Sequence, residues 1–413
     1  MKTSIRSHAF FVGNLPYNVM LKNIDSTQWK EIIEEKKDYV FLCSYFHKSH
    51  VDAMIRTKGQ KRPKFLDNVR HYMLEINKTI PLSLFNEKMK KLTVLDGYNM
   101  VVKGLHIYQF PLDITLYAIE IDDSGSSLND LTSAHSAIRE LPSKWNEFNN
   151  EFKETLKPLI NLVPSQNLND LVASGNKLKI FQLLMVNSND WSDEHLYAIA
   201  TCSAIDIVGA NKDLSPSTEY YNSIMQNNTI APFQDWKALS LMDTYTGLIK
   251  SKDEFDEEHW SRTRKAWNCS YYRLIYLRAL AKKTFLSRQN DRYRLDIANS
   301  RLVHDLNKME QYYFYDNISY NFLPNMLNAQ MEKSLEIKEE RNELSSQIKE
   351  SDNKNANRLA TTLSAFAVFS VAYDILNIVK AINEGKDVIM HSIFGGIATI
   401  IVILLIIRTI RRN

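Results

Sequence analysis

Two apolar runs toward the C-terminus constrain this chain more than any other feature. Leu359–Val379 contains a single charge, Asp374, and Val388–Ile407 contains a single ionisable group, His391. Each run is about 20 residues long, the length a helix needs to cross a hydrocarbon core. A helix also pairs its own backbone N–H and C=O groups, which lipid cannot do. The pattern predicts two transmembrane helices. The alternative is a buried hairpin, although core helices are rarely apolar all round for such a length. The short connection Lys380–Asp387 makes the two runs antiparallel neighbours. Lys354 and Arg358 precede the first, and Arg408, Arg411 and Arg412 follow the second. Basic flanks mark the cytoplasmic side. The expectation is therefore a multi-pass protein of the inner cell membrane with both termini in the cytoplasm.

Upstream, about Asp296–Lys349 reads as helix. Alternate steps of four and three from Leu302 meet Leu306, Met309, Tyr313, Tyr320, Leu323, Leu327, Ile337, Leu344 and Ile348, with polar interruptions between them. Pro324 falls inside and should bend the helix or break its hydrogen-bond ladder. The segment suits either two ordinary core helices or a stalk running into the first apolar run. The stalk is favoured because Lys333–Asn357 is too polar for a core helix.

A further helix is expected over about Asp256–Gln289, with Asp256, Glu257 and Glu258 at its positive dipole end. His259–Asn290 contains no acid but carries Arg262, Arg264, Arg273 and Arg278 among Trp260, Trp267, Tyr271, Tyr272 and Tyr276. Aromatics interleaved with bases suit a nucleotide, since rings stack on bases and Arg binds phosphate. The same pattern also suits a helix packed by its aromatics with its basic groups turned elsewhere.

The first 250 or so residues alternate strand-like and amphipathic stretches, which predicts one α/β domain. Strands are expected over Ala9–Gly13, Tyr39–Phe46, Ile114–Ile121, Leu178–Val186 and Ala238–Ile249. Helices are expected over Ser26–Glu35, Leu128–Leu156 and Glu194–Ile207. Phe10-Phe11-Val12-Gly13-Asn14-Leu15 looks like the first aromatic strand motif of an RNA recognition module. However, the partner motif near Lys37–Tyr45 lacks its glycine, and direct nucleic-acid binding is not expected. Cys43, His47 and His50 have metal-ligand spacing, but strand alternation would scatter them over both faces. Only three cysteines are present, so no disulfide framework is available, and the 51 basic and 48 acidic residues nearly balance. The N-terminus lacks the basic-then-apolar pattern of a secretory signal. No phosphate-cradling glycine loop or catalytic motif is found, and no enzymatic activity is expected.

The expected organisation is a cytosolic α/β domain over 1–255, a helical stalk region over 256–357, and a two-helix transmembrane region with a basic tail over 358–413. This order of parts resembles the CorA-like family of divalent-cation transporters, most closely from about Asp256 to Asn413. The resemblance implies a homopentamer in the lipid bilayer, with the first span lining a pore. Asn357, Thr361, Ser364, Asp374 and Asn377 would be the pore-lining residues, and Arg408, Arg411 and Arg412 an inner basic ring. The family's Gly-Met-Asn signature is replaced here by Tyr373-Asp374-Ile375-Leu376-Asn377. Divergent members without it act beside type III CRISPR systems in antiviral defence. They imply an effector channel gated by a nucleotide messenger, such as an S-adenosylmethionine–AMP conjugate or a cyclic oligoadenylate. Arg262, Arg264, Trp267, Tyr271, Arg273 and Arg278 would then be candidates for binding it. The other readings are a Mg2+ transporter with an altered filter and a tethered scaffold with no pore.

Overall fold

The computed structural model describes residues 5–15, 24, 27–58, 69–80, 99–125, 128–162, 177–186, 192–202, 216–250, 257–268, 272–294 and 317–384. Nine strands form one sheet: β1 (Ile5–Asn14), β2 (Lys30–Glu31), β3 (Arg70–Ile80), β4 (Asn99–Phe110), β5 (Ile114–Gly125), β6 (Lys179–Val186), β7 (Thr229–Phe233), β8 (Trp236–Ser240) and β9 (Thr244–Lys250). Their order is β2-β3-β4-β5-β1-β6-β9-β8-β7. Every neighbouring pair is antiparallel except β6 and β9, which run parallel.

The helices are α1 (Lys36–Tyr45), α2 (Lys48–Met54), α3 (Leu128–Arg139), α4 (Leu141–Lys144), α5 (Asn150–Ile160), α6 (Asp193–Thr201), α7 (Thr218–Asn228), α8 (Glu257–Asn268), α9 (Tyr272–Arg294), α10 (Phe322–Ser334) and α11 (Ile337–Asn383). One sheet face packs on α3, α5 and α6. Ala9, Phe11, Ile119, Ile121 and Leu184 meet Leu131, Ile138, Phe152, Leu156 and Leu196 in the main core. The opposite face receives α9, whose Tyr276 stacks on Phe181 at 5.3 Å between ring centroids. Covered on both sides, β1 and β6 are buried along nearly their whole length, which is why they read as near-continuous apolar runs.

The sheet divides its side chains by the two-residue period of a strand. In β1, Phe11 faces the main core while Phe10 and His8 belong to the α9 side. Gly13 is required for a different reason than base stacking. It lies opposite Tyr117, and a Cβ there would stand 2.4 Å from the Tyr117 ring. The RNA-module likeness therefore fails: Phe10 and Phe11 are both buried in a central strand, and Lys37–Tyr45 lies in a helix.

The chain divides into two compact units. One comprises Met1–Asp291 with His304–Glu340, and the other Arg292–Val303 with Arg341–Asn413. The first contains the whole sheet. In the second, the described chain is mainly the continuation of α11.

The expected stalk and membrane architecture is not what forms. Among the described residues, no helix is long and apolar enough to cross a membrane. The first run, Leu359–Val379, is the later part of α11, a helix that begins with the charged stretch Ile337–Arg358. Thr361, Thr362, Ser364 and Asn377 interrupt its apolar residues. Val388–Ile407 and Arg408, Arg411 and Arg412 lie outside the described residues. The expectation of a multi-pass inner-membrane ion channel is overturned on that finding, and a nine-stranded mixed sheet with helices stands in place of a stalk and two spans. Nor is Asp296–Lys349 one helix. Its first part, 296–316, lies outside the described residues, and non-helical chain at Asn317–Asn321 pairs with Phe46 through Ser319. Glu336, at φ 54°, then separates α10 from α11. Pro324 sits in the first turn of α10, where its missing N–H has no helical partner to lose.

Local expectations also needed correction. Tyr39–Tyr45 is helical rather than extended, with Leu42 turned inward, and Phe46 alone of the expected strand is extended. Of the helix expected over Ser26–Glu35, the described part, 27–35, is turn, short strand and irregular chain. Pro142 and the extended Phe148 divide Leu128–Leu156 into separate helices. Ala238–Ile249 is the hairpin of β8 and β9.

Phe11→Ala should lower unfolding free energy by about 3–5 kcal/mol by opening a cavity in the main core, measured by urea denaturation. Glu336→Gly should raise it by up to about 1 kcal/mol, because an exposed side chain no longer has to occupy the left-handed region.

Candidate ligand groove and buried histidine chain

On the α9 side of the sheet, alternate strand positions carry polar groups where apolar ones would be expected. His8 on β1, His71 on β3, His106 and Tyr108 on β4, and Glu120 and Asp122 on β5 form one continuous cluster. The strand registers create it, since His8 lies opposite Asp122 and Phe10 opposite Glu120. His71 Nε2 lies 2.9 Å from His106 Nδ1, and His106 Nε2 lies 2.8 Å from Glu120 Oε2. His8 Nε2 is 3.4 Å from Glu120 Oε1, an electrostatic contact without hydrogen-bond geometry. His8 Nδ1 is hydrogen-bonded to Asp122 Oδ1, and Arg264 Nη1 donates to Asp122 Oδ2 at 2.7 Å.

The partners assign the tautomers. Glu120 accepts, so neutral His106 carries its proton on Nε2. His106 Nδ1 is then an acceptor, and His71 donates from Nε2. Burial pushes His71 well below the usual histidine range, and His106 and Arg273 add to that. Burial also lowers His106, against the opposing pull of Glu120. Burial resists ionisation of Glu120, but the His106 hydrogen bond and the nearby positive charge prevail and hold its carboxyl at about 2. Asp122 is likewise lowered: burial opposes, while the His8 hydrogen bond and the Arg264 charge win. Arg273 lies over the Phe10 ring at 5.0 Å and the Tyr108 ring at 5.9 Å, a cation–π cover for the buried end.

Each end of this chain meets a cavity. His71 and Tyr108 line a space of about 20 Å³ together with Glu34, Arg56 and Arg273. Asp122 lines an open groove of about 430 Å³. Glu257, Trp260, Ser261 and Arg264 of α8 form one wall, at the helical spacing that keeps them on one face. Arg6, Ser7, Asp123 and Ser124 come from β1 and β5. Arg6 pairs with Glu257. Asp123 also starts a second polar string on the opposite sheet face. Its Oδ2 lies 2.6 Å from His135 Nε2, His135 Nδ1 lies 2.7 Å from Gln182 Oε1, and Gln182 donates to Thr246 at 2.8 Å.

The basic residues expected to bind a nucleotide are dispersed. Arg264 reaches the groove, Arg273 covers the histidine chain, and Arg262 is exposed beside Glu258. Arg278 is buried and its Nη1 lies 3.3 Å from His50 Nδ1. Tyr271 and the side chain of Trp267 lie outside the described residues. Tyr272 and Tyr276 pack on Trp236 and on Phe181. Asn357, Thr361 and Ser364 share one exposed face of α11, but Asn377 stands about 200° around the helix from Asn357. The side chain of Asp374 lies outside the described ones. Cys43, His47 and His50 are not gathered: His47 packs edge-on against Tyr320, and His50 turns to Arg278. No metal-ligating cluster of three or more occurs among the described residues.

Sequence reasoning missed His8, His71, His106, Glu120 and Asp122. A usable signal was present: His8/Phe10, His106/Tyr108 and Glu120/Asp122 are each spaced by two within apolar runs, which places a polar stripe on one strand face.

No family model, curated protein or solved structure matches this chain.

The low carboxyl of Glu120 contributes stability that is present above its unfolded value of about 4.5 and is lost as pH falls toward about 2. His71 and His106 act earlier. The unfolded chain binds their protons more readily, so stability declines as pH drops below about 6.5. Glu120→Gln should therefore cost about 1–3 kcal/mol at neutral pH, with the gap from the parent protein narrowing below pH 4.5 in urea titrations.

Proposed function

We propose that the α/β unit is a ligand-binding domain whose groove accepts a small nucleotide carrying both negative and positive groups. The observation that carries this reading is the mixed lining of the groove: Arg6 and Arg264 stand with two acids, Asp122 and Glu257, across about 430 Å³. That volume falls in the range of small-molecule sites. A phosphate is the natural partner of a guanidinium, which offers paired N–H donors in a fixed plane. The acids suit a cationic group, such as the sulfonium of an S-adenosylmethionine–AMP conjugate. Ser124 and Ser261 supply hydroxyls for a sugar or phosphate, and Trp260 supplies an aromatic wall.

Binding on this reading is an exchange of partners. Arg264 is held by Asp122, and Arg6 by Glu257. A ligand phosphate competes for the guanidinium groups, while the ligand cation takes up the acids they release. Such matched exchange avoids leaving a desolvated charge alone.

Isothermal calorimetry with the S-adenosylmethionine–AMP conjugate, adenosine 5′-monophosphate, a cyclic oligoadenylate and inorganic phosphate tests the reading. At least one adenylate should bind, and Arg264→Ala should weaken it by about tenfold or more, equivalent to ~1.4 kcal/mol. Absence of binding by every adenylate at millimolar concentration, or an unchanged affinity in Arg264→Ala, would overturn it.

A further inference from the structure

We infer that Arg264 is a charge gate for the buried histidine chain, so that a ligand drawing it away from Asp122 is bound together with a proton. The consequence for binding rests on the groove being the ligand site. The gate itself does not, and it can be tested without ligand.

The geometry leaves Asp122 with few partners. Its two oxygens are taken by His8 and Arg264, and the nearest other cation, Lys103, stands 3.9 Å away. His8 is 1 % exposed at its side chain, so charge on its ring is answered by protein groups rather than water. Those groups can be named on every side. Glu120 and Asp122 face it from β5, His106 and Lys103 belong to β4, Arg264 comes from α8, and Arg273 comes from α9 over Phe10. On β6 its cross-strand neighbour is Leu183, which offers no charge.

Within this set Arg264 is the cation that a ligand in the groove meets directly. It is about one-third exposed, lines the open groove, and reaches the chain through one carboxylate. Its withdrawal removes a positive charge beside Asp122, and a nucleotide without a cationic group does not replace it. A ligand phosphate arriving in the groove adds negative charge. Both changes favour a proton on the His8–Asp122 pair. Solvent supplies that proton through the groove, no covalent bond forms or breaks, and Arg264 stays protonated throughout. Affinity for such an anionic nucleotide must then rise as pH falls, by linkage.

The decisive experiment is an NMR titration of the full chain labelled at histidine, with the His8 resonance assigned by His8→Asn. In Arg264→Gln the His8 midpoint should rise by about half a pH unit or more relative to the parent. Arg264→Lys, which keeps the charge, should remain near the parent and guards against misfolding as the cause. Arg262→Gln, on the exposed side of the same helix, should leave the midpoint unchanged. An unaltered His8 midpoint in folded Arg264→Gln would overturn the gate. Calorimetry with adenosine 5′-monophosphate, in two buffers of different ionisation enthalpy at one pH, reads the binding half. Net proton uptake supports the inference, and buffer-independent heats oppose it. If this nucleotide gives no heat, it is the groove reading that loses support, while the titration still decides the gate.

Discussion

The pairing of β1 with β5 is the constraint on which the rest of the polar architecture depends. It places His8 opposite Asp122 and Phe10 opposite Glu120 in the middle of a sheet covered on both faces. A slip of one residue would exchange the two faces of β1, sending His8 into the main core and Phe11 toward α9. Neither side could tolerate that. The main core is built around Phe11 and its neighbours, and the α9 side would lose the imidazole that Asp122 requires. The apolar face and the charged face therefore specify the same register. Agreement between hydrophobic and polar demands is what singles out one pairing from its competitors.

The parts of the fold visible in the sequence are those where local and tertiary preferences coincide. β1, β5 and β6 are apolar runs that become central strands. The sequence does not mark β3 as a strand. Arg70–Ile80 is polar along much of its length and only partly buried, so neither alternation nor an apolar run marks it. Tyr39–Phe46 misleads in the opposite way. Its aromatic and β-branched residues favour a strand, yet the chain forms α1 with Val40, Phe41 and Tyr45 largely exposed. The apolar run at Leu359–Val379 is the largest divergence. Apolar composition over such a length is a necessary condition for a span, and the described part of α11 does not meet the full one.

The candidate site was only partly legible for a related reason. The basic-aromatic segment signalled that something polar had to be met on that side of the molecule, and Arg264 and Arg273 do meet it. Its counterpart lay on four strands, and β1 is remote from the others, with His8 and Asp122 more than a hundred residues distant. Spacing by two marks a stripe on β1, β4 and β5, a signal that the sequence reading missed. Only the strand order could bring the stripes together.

Burying that many ionisable groups is a poor way to stabilise a fold. Each charge loses its hydration, and a well-packed apolar set of similar volume is often at least as stable. Simple stabilisation therefore does not account for a chain running from His71 to Arg264. Its placement is more informative. On β5, Asp122 turns its carboxylate to the groove while its neighbour Asp123 buries its own on the other face, and each belongs to a polar string on its side of the sheet. One string ends at the small cavity by Glu34, the other at Thr246 on β9. A change of charge at Asp122 is thus felt along the α9 face of the sheet, through hydrogen bonds and the His8–Glu120 contact in a medium that screens them weakly. That arrangement fits a domain whose occupancy must be registered away from the groove better than it fits one that only holds a ligand.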